Sequence, residues 1–210
     1  MVNEISVLEG YSRVRFAYFK WQRHSALLVN AALAIGMACV TGLLAQVKFY
    51  LPWTPVPVVA TQFGVIFSAI LLGRSWGGIS MIIYVLLGIA GVPWFTGMKG
   101  GFAFLLGPTF GYTIGFILAS FFIGYFVDRF IESRKTIALF GLIVFSQLVI
   151  VYIPGLIQLY LFMSVIKKES IGLIQLLWMG YIPFIIGDLI KSLACSMLAK
   201  AALPMENFGK

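Results

Sequence analysis

Pro183-Phe184-Ile185-Ile186-Gly187-Asp188-Leu189-Ile190-Lys191 lies inside an apolar run from Ile171 to Leu198 whose only charged residues are Asp188 and Lys191. An apolar stretch this long, without alternation, is a bilayer-crossing helix rather than a strand. A charge near the middle of such a helix costs about 2.5–3.5 kcal/mol on insertion scales. Two such charges in one helix need a compensating role. Three positions apart, they share a helical face that continues through Ser192 and Cys195, while Ile185, Leu189 and Leu193 lie off it. One stripe is polar and the remainder apolar. This pattern predicts a ligand or ion site facing the bundle interior; the alternative is an ion pair that only sets helix packing.

The rest of the chain has the same character. Of 210 residues, 61% are hydrophobic and 10% charged, and the mean hydropathy is +1.01. The fold class that follows is all-α integral membrane. No stretch is polar and long enough for a separate soluble domain, and no internal repeat is visible. The net charge of +8 does not point to nucleic acid, because the basic residues flank apolar runs, as the positive-inside rule requires. Cys39 and Cys195 both fall in apolar runs and are expected as buried, inert thiols. His24 has no metal-ligating neighbour, so no metal site is expected.

Read in order, residues 1–24 form a cytoplasmic or interfacial arm. Arg13, Arg15, Lys20 and Arg23 alternate there with Tyr11, Phe16, Tyr18, Phe19 and Trp21. Residues 25–203 are the transmembrane domain and 204–210 a tail. Six spans are expected, at about 25–47, 59–72, 76–89, 102–127, 136–153 and 183–203. In the first, Ala34, Ala38 and Gly42 form a small-residue stripe. Such stripes let helices approach closely, either within the chain or against another membrane protein. Pro52, Pro55 and Pro57 make the connection before the second span an ordered, extended loop. Gly73-Arg74-Ser75 is a tight turn. The glycine-rich segment 88–101 is a second loop, with Trp94 and Phe95 at its centre. Gly107-Pro108 predicts a kink in the fourth span, beside the hydroxyls of Thr109 and Tyr112. Pro154-Gly155 is expected to end the fifth, leaving 154–181 as a long loop with one or two short re-entrant or interfacial helices.

With the N-terminus inside, Arg13, Arg15, Lys20, Arg23, Arg74, Arg129, Arg134, Lys135, Lys200 and Lys210 lie on the cytoplasmic side. Lys48, Lys99, Lys167 and Lys168 lie outside. The excess favours an N-in, C-in topology. The Pro-, Gly- and Trp-rich loops and the outer half of the last helix, with Asp188 and Lys191, then share one side. That geometry describes an outward-opening pocket capped by loops.

Several motifs occur together and in order. They are Pro55-Val56-Pro57 with Thr61-Gln62, Leu72-Gly73-Arg74, Tyr84-Val85-Leu86-Leu87-Gly88, and Gly91-Val92-Pro93 with Phe95. They continue with Leu106-Gly107-Pro108-Thr109, Gly111-Tyr112 and Gly115-Phe116, and end with Pro183-Phe184 and Gly187-Asp188-Leu189-Ile190-Lys191. From about residue 38 to 200 this resembles the BioY family, the biotin-binding S subunits of energy-coupling-factor (ECF) transporters. The resemblance implies a six-helix S-component fold in the cell membrane and high-affinity capture of biotin from outside. It also implies partners: a transmembrane coupling subunit and two ATPase subunits. No cofactor is implied, since biotin is the ligand. The chain has no GxxxxGK[ST], so any ATP hydrolysis belongs to another subunit.

Biotin needs apolar walls and a few placed polar groups. Asp188 suits a ureido N–H, and Lys191 suits the ureido oxygen or a partnership with Asp188. Tyr112, Thr109, Gln62 and Tyr84 are further hydrogen-bonding candidates; Phe104, Trp94 and Phe95 are wall or lid. In such subunits the stripe Ala34, Ala38 and Gly42 is where the coupling protein is expected. Two rival classes remain: a self-sufficient secondary transporter with Asp188 as proton carrier, and an intramembrane enzyme. The first fits poorly with unlike halves, and the second with the absence of HExxH, GxSxG or a second intramembrane acid.

Overall fold

The structure is a computed structural model that describes the backbone of residues 2–205 and the side chains of residues 10–205. The final residues of the expected C-terminal tail, Lys210 among them, lie outside the described residues.

The described chain is mostly helical. Helix α1 (Val2–His24) is the N-terminal arm and α2 (Leu27–Leu44) the first apolar helix. Two short strands, β1 (Lys48–Phe49) and β2 (Val58–Val59), pair antiparallel with Lys48 opposite Val59. Between them the three prolines hold an extended strap, since proline cannot continue a helix. Helix α3 (Thr61–Ile89) is interrupted at Gly73, whose φ of 76° and ψ of −171° only glycine adopts readily. A Cβ on Gly77 would stand 2.7 Å from the Ser68 carbonyl oxygen, so the second half of α3 folds back along the first. The tight turn expected at Gly73-Arg74-Ser75 is therefore present. Helix α4 (Phe110–Arg129), α5 (Thr136–Ile166), α6 (Leu173–Gly180) and α7 (Ile185–Ala202) complete the chain.

Five helical segments are long and apolar enough to cross a membrane: Leu27–Leu44, Thr61–Ile89, Phe110–Arg129, Thr136–Ile166 and Leu173–Ala202. Their outward faces carry exposed Leu28, Leu43, Ile137, Leu173, Ile186 and Ile190. With no counterpart in a soluble protein of this size, that apolar exterior makes the chain a multi-pass membrane protein.

Two sequence expectations change. Pro154-Gly155 does not end the fifth span, because α5 runs on to Ile166. A π-helical stretch, Ser146–Val151, ends three positions before the proline. It shifts the hydrogen-bond register where the missing N–H would otherwise leave a gap. Gly107-Pro108 does not kink a continuous helix either. It separates a 3₁₀ segment, Phe102–Leu106, from the start of α4 at Phe110.

At one end of the bundle, Asp128 ties three elements together. Its Oδ1 pairs with Arg23 Nη2 at 2.7 Å and its Oδ2 accepts the backbone N–H of Arg74 at 2.8 Å. Arg23 also donates to the Leu71 carbonyl at 2.8 Å, one of the groups left unpaired where α3 breaks. Burial pulls the Arg23 guanidinium below its ordinary pKa, and the adjacent Asp128 pushes it back up. Arg134 reaches from the α4–α5 turn to the Val127 carbonyl at 2.8 Å and the Pro204 carbonyl at 3.0 Å. Phe19, Ile70, Ile123, Leu139, Ile143, Cys195 and Ala199 form the apolar layer above this basic end. The opposite end holds the β1–β2 strap, the 90–101 loop and α6.

Candidate functional site

Between the apolar layer and the strap lies a cavity of about 610 Å³. Its floor is a polar network from three helices. On α7, Asp188 is 2% exposed, and its Oδ1 lies 2.6 Å from Lys191 Nζ. On α5, the Tyr152 hydroxyl donates to Asp188 Oδ2 at 2.6 Å. On α3, Gln62 Nε2 donates to the same oxygen at 3.1 Å, and Gln62 Oε1 accepts from Lys191. Lys191 also reaches the Val59 carbonyl at 3.4 Å, tying the strap to the floor. Every member of the ring has a partner of opposite polarity, which is the condition for burying charges here.

Above the floor the walls are apolar: Val56, Pro57, Val58 and Val59 from the strap, with Phe104, Phe116, Val151 and Phe184. Hydroxyl groups punctuate them at Thr61, Tyr84, Thr96, Thr109, Tyr112 and Thr113. Tyr112 donates to the Gly180 carbonyl at 2.8 Å and so fastens α6 over the site. Thr61 differs from these. Its buried Oγ1 has no hydrogen-bond partner among the described residues, so the cavity holds a donor without an acceptor.

Seven of the nine expected site residues line this cavity: Asp188, Lys191, Tyr112, Thr109, Gln62, Tyr84 and Phe104. Trp94 and Phe95 do not. Trp94 turns its indole N–H to the Tyr84 carbonyl at 2.9 Å. Phe95 is fully buried and stacks on Phe104 with centroids 4.0 Å apart. Both brace the wall from behind; an apolar pair on a tightly turned loop is most stable packed inward.

The stripe Ala34, Ala38 and Gly42, expected as a partner interface, packs within this chain. Ala34 and Ala38 are fully buried within this chain. The Ala34 carbonyl accepts from Ser80 at 2.8 Å, and a Cβ on Gly42 would meet Trp94 Cβ at 2.9 Å. The small residues serve the close approach of α2 to α3 and the 90–101 loop within this chain. Cys39, expected buried, is exposed.

Tyr152 and Thr61 are the site residues that sequence reasoning passed over. Tyr152 stands beside the expected helix end at Pro154. It lies inside the span expected at 136–153, and only the packing of α5 against α7 shows that its ring meets Asp188. Thr61 was visible beside Gln62, but nothing in the sequence distinguishes a free hydroxyl from a satisfied one.

The profile of the BioY family matches residues 19–207. The chain belongs to the BioY family. The BioY relatives include a probable biotin transporter of Methanothermobacter thermautotrophicus, 46% identical over 143 residues that span 68% of this chain and 91% of that protein. Another is the biotin transporter of Thermotoga maritima, 35% identical over 156 residues, 74% of this chain and 86% of the relative. Among solved structures, the crystallised S-component for biotin from an ECF-type ABC transporter superposes with a TM-score of 0.71 at 26% identity. The overlap takes in 82% of this chain and 89% of that one. The BioY match begins within α1, so most of that helix precedes the shared region.

Proposed function

We propose that this chain is the membrane-embedded, biotin-binding S component of an ECF-type vitamin importer. The observation that carries the reading is the Asp188–Lys191–Gln62–Tyr152 ring at the floor of an apolar cavity. A ureido group offers two N–H donors and a carbonyl acceptor in one plane. Asp188 accepts from the N–H edge, and Lys191 and the free hydroxyl of Thr61 donate to the oxygen. The aromatic and valine walls hold the thiophane ring. Fixed polar groups in an apolar site discriminate strongly, because a ligand lacking the matching group leaves them unpaired.

In this reading the chain sits in the cell membrane with six crossings, the two halves of α3 counting separately, and both termini inside. Support comes from the gathering of Arg23, Arg74, Asp128 and Arg134 at one end, with the cavity loops at the other. Biotin enters from the outer side. Residues 25–203 form the binding domain, and the arm 1–24 braces its inner end. Release inward is driven by a transmembrane coupling subunit and two ATPase subunits. The cavity chain itself carries out no chemistry.

The test is calorimetric titration of the purified full chain with biotin, riboflavin and thiamine. One biotin per chain with no heat from the other two is expected. Heat from riboflavin or thiamine and none from biotin would overturn the assignment.

A further inference from the structure

Helix α1 covers the basic end of the bundle, and its inward face is fixed by contacts to three helices. The Tyr11 hydroxyl donates to the Ala201 carbonyl at 2.7 Å and Arg15 Nη1 to the Lys200 carbonyl at 2.9 Å. Both carbonyls lie at the C-terminal end of α7, where intrahelical partners run out. Gln22, fully buried, donates to the Leu72 carbonyl at the break of α3 and to Asn30 Oδ1 on α2, both at 3.2 Å. Phe19 is buried against the guanidinium groups of Arg23 and Arg134, 3.6 and 4.7 Å from its ring centroid. Held this way α1 cannot roll, so the face it turns away from the bundle is fixed too.

That outward face has two parts. Tyr11, Val14, Tyr18 and Trp21 follow a 3-4-3 spacing, which places them in one stripe. All four are exposed, Val14 at 67% and Trp21 at 51%. The rings of Tyr18 and Trp21 lie together, with centroids 5.9 Å apart. Arg13 and Lys20, two turns apart on the helix, form a second exposed stripe beside the first. Residues 10–24 contain no carboxylate. Among the described residues the ion pairs are Arg23–Asp128, Lys135–Glu132 and Lys191–Asp188, and neither Arg13 nor Lys20 is in one.

The position of α1 decides what meets this face. Ser25 and Ala26 alone separate it from α2, which opens with Leu27 and Leu28 on the lipid-facing surface, 71% and 79% exposed. The stripe on α1 is thus continuous with the apolar belt and stands at the depth where that belt starts. Aromatic rings carrying one polar atom settle at this depth. The neighbouring charges select the kind of lipid. Arg129 and Lys200 are exposed at the same end, while the carboxylates described there, Asp128 and Glu132, are already in ion pairs. The complement of such a surface is an anionic headgroup above an apolar interface.

We propose that the outward face of α1 is a docking surface for anionic phospholipid. Tyr11, Val14, Tyr18 and Trp21 sink among the upper acyl carbons, and Arg13 and Lys20 hold the phosphates. Because α1 is bonded to α3 and α7, the docked helix sets the depth and tilt of the basic end of the bundle in its leaflet. The stripe as far as Tyr18 precedes the region matched to the BioY family. It lies away from the cavity and is independent of which ligand the cavity takes.

The experiment uses the full chain labelled with 5-fluorotryptophan, in nanodiscs of equal phosphatidylglycerol and phosphatidylcholine. The Trp21 fluorine resonance is identified by its loss in Trp21→Phe. A nitroxide at an upper acyl carbon, carried by one lipid or the other, should broaden that resonance, and a soluble gadolinium chelate should not. The label on phosphatidylglycerol should act about three- to tenfold more strongly than on phosphatidylcholine, the scale of one or two surface cations. Arg13→Gln with Lys20→Gln, both exposed, should keep the parent's melting temperature and bring the two lipids to equal effect. Added salt should narrow the parent's preference. Broadening of Trp21 by the chelate and not by lipid places the stripe in water and overturns the proposal. A resonance reached by neither overturns it too, because a protein surface such as a second copy of this chain then covers the stripe. Equal broadening by the two lipids in the parent removes the anionic partner, and a preference that survives in the double variant takes it away from α1.

Discussion

The hydroxyl of Tyr152 and the carboxylate of Asp188 are 2.6 Å apart, and this bond joins α5 to α7 across the cavity floor. It leaves Asp188 Oδ1 to Lys191 and shares Oδ2 with Gln62. The carboxylate is thus turned in one orientation by groups on three helices. Ligand affinity then depends on a residue whose main contact is with another side chain.

Tyr152→Phe keeps the ring and removes that bond. Hydrogen bonds to charged groups contribute about 1.5–3 kcal/mol, so biotin affinity should fall by roughly 10- to 150-fold. The melting temperature should fall as well, because the bond is already made in the ligand-free chain, though the ring still packs against Tyr112 and Tyr181. Parent-like calorimetric affinity in this variant would show that Asp188 is oriented without Tyr152.

Asp188→Asn combined with Lys191→Met separates a binding role from a packing role. If the pair only set packing, removing both charges would be neutral or mildly stabilising. As ligand contacts they should weaken biotin by about 2–5 kcal/mol, a loss of roughly 30- to several-thousand-fold. A folded double variant with the parent's affinity would falsify the site.

Ala38→Trp should destabilise the isolated chain. Ala38 is fully buried in a cluster with Tyr84, Val85, Phe95 and Phe104, and overpacking of this kind costs about 1–3 kcal/mol or more. The melting temperature and biotin affinity should drop together, since the cluster backs the cavity wall. Gly36→Leu is the control on the other face of the same helix, where a Cβ would meet nothing within 4 Å; it should bind and melt as the parent does. An Ala38→Trp chain that binds normally, while uptake by the assembled complex fails, would place the stripe at a partner interface.

Much of this protein is legible without coordinates because bilayer physics is severe. Continuous apolar runs can only be helices, prolines and glycines can only be their interruptions, and an Asp–Lys pair in a span needs partners inside the bundle. Those constraints located α2, the turn at Gly73, the proline strap and the Asp188–Lys191 face. They failed where a local signal was outweighed by neighbours. Pro154 reads as a helix end, but a π-helical register shift carries α5 past it. Ala34, Ala38 and Gly42 read equally well as an inner or an outer seam, because a small residue says only that something comes close.

What the tertiary structure alone decided is which groups meet. Gln62, Tyr152 and Asp188 are separated by 90 and 36 positions, and no periodicity links residues so distant. Their convergence follows from how α3, α5 and α7 pack, and from helix lengths that bring three polar side chains to one depth. Trp94 and Phe95 illustrate the converse. Their chemistry suited a pocket lid, but turning both rings inward buries apolar surface that a lid would leave partly wet.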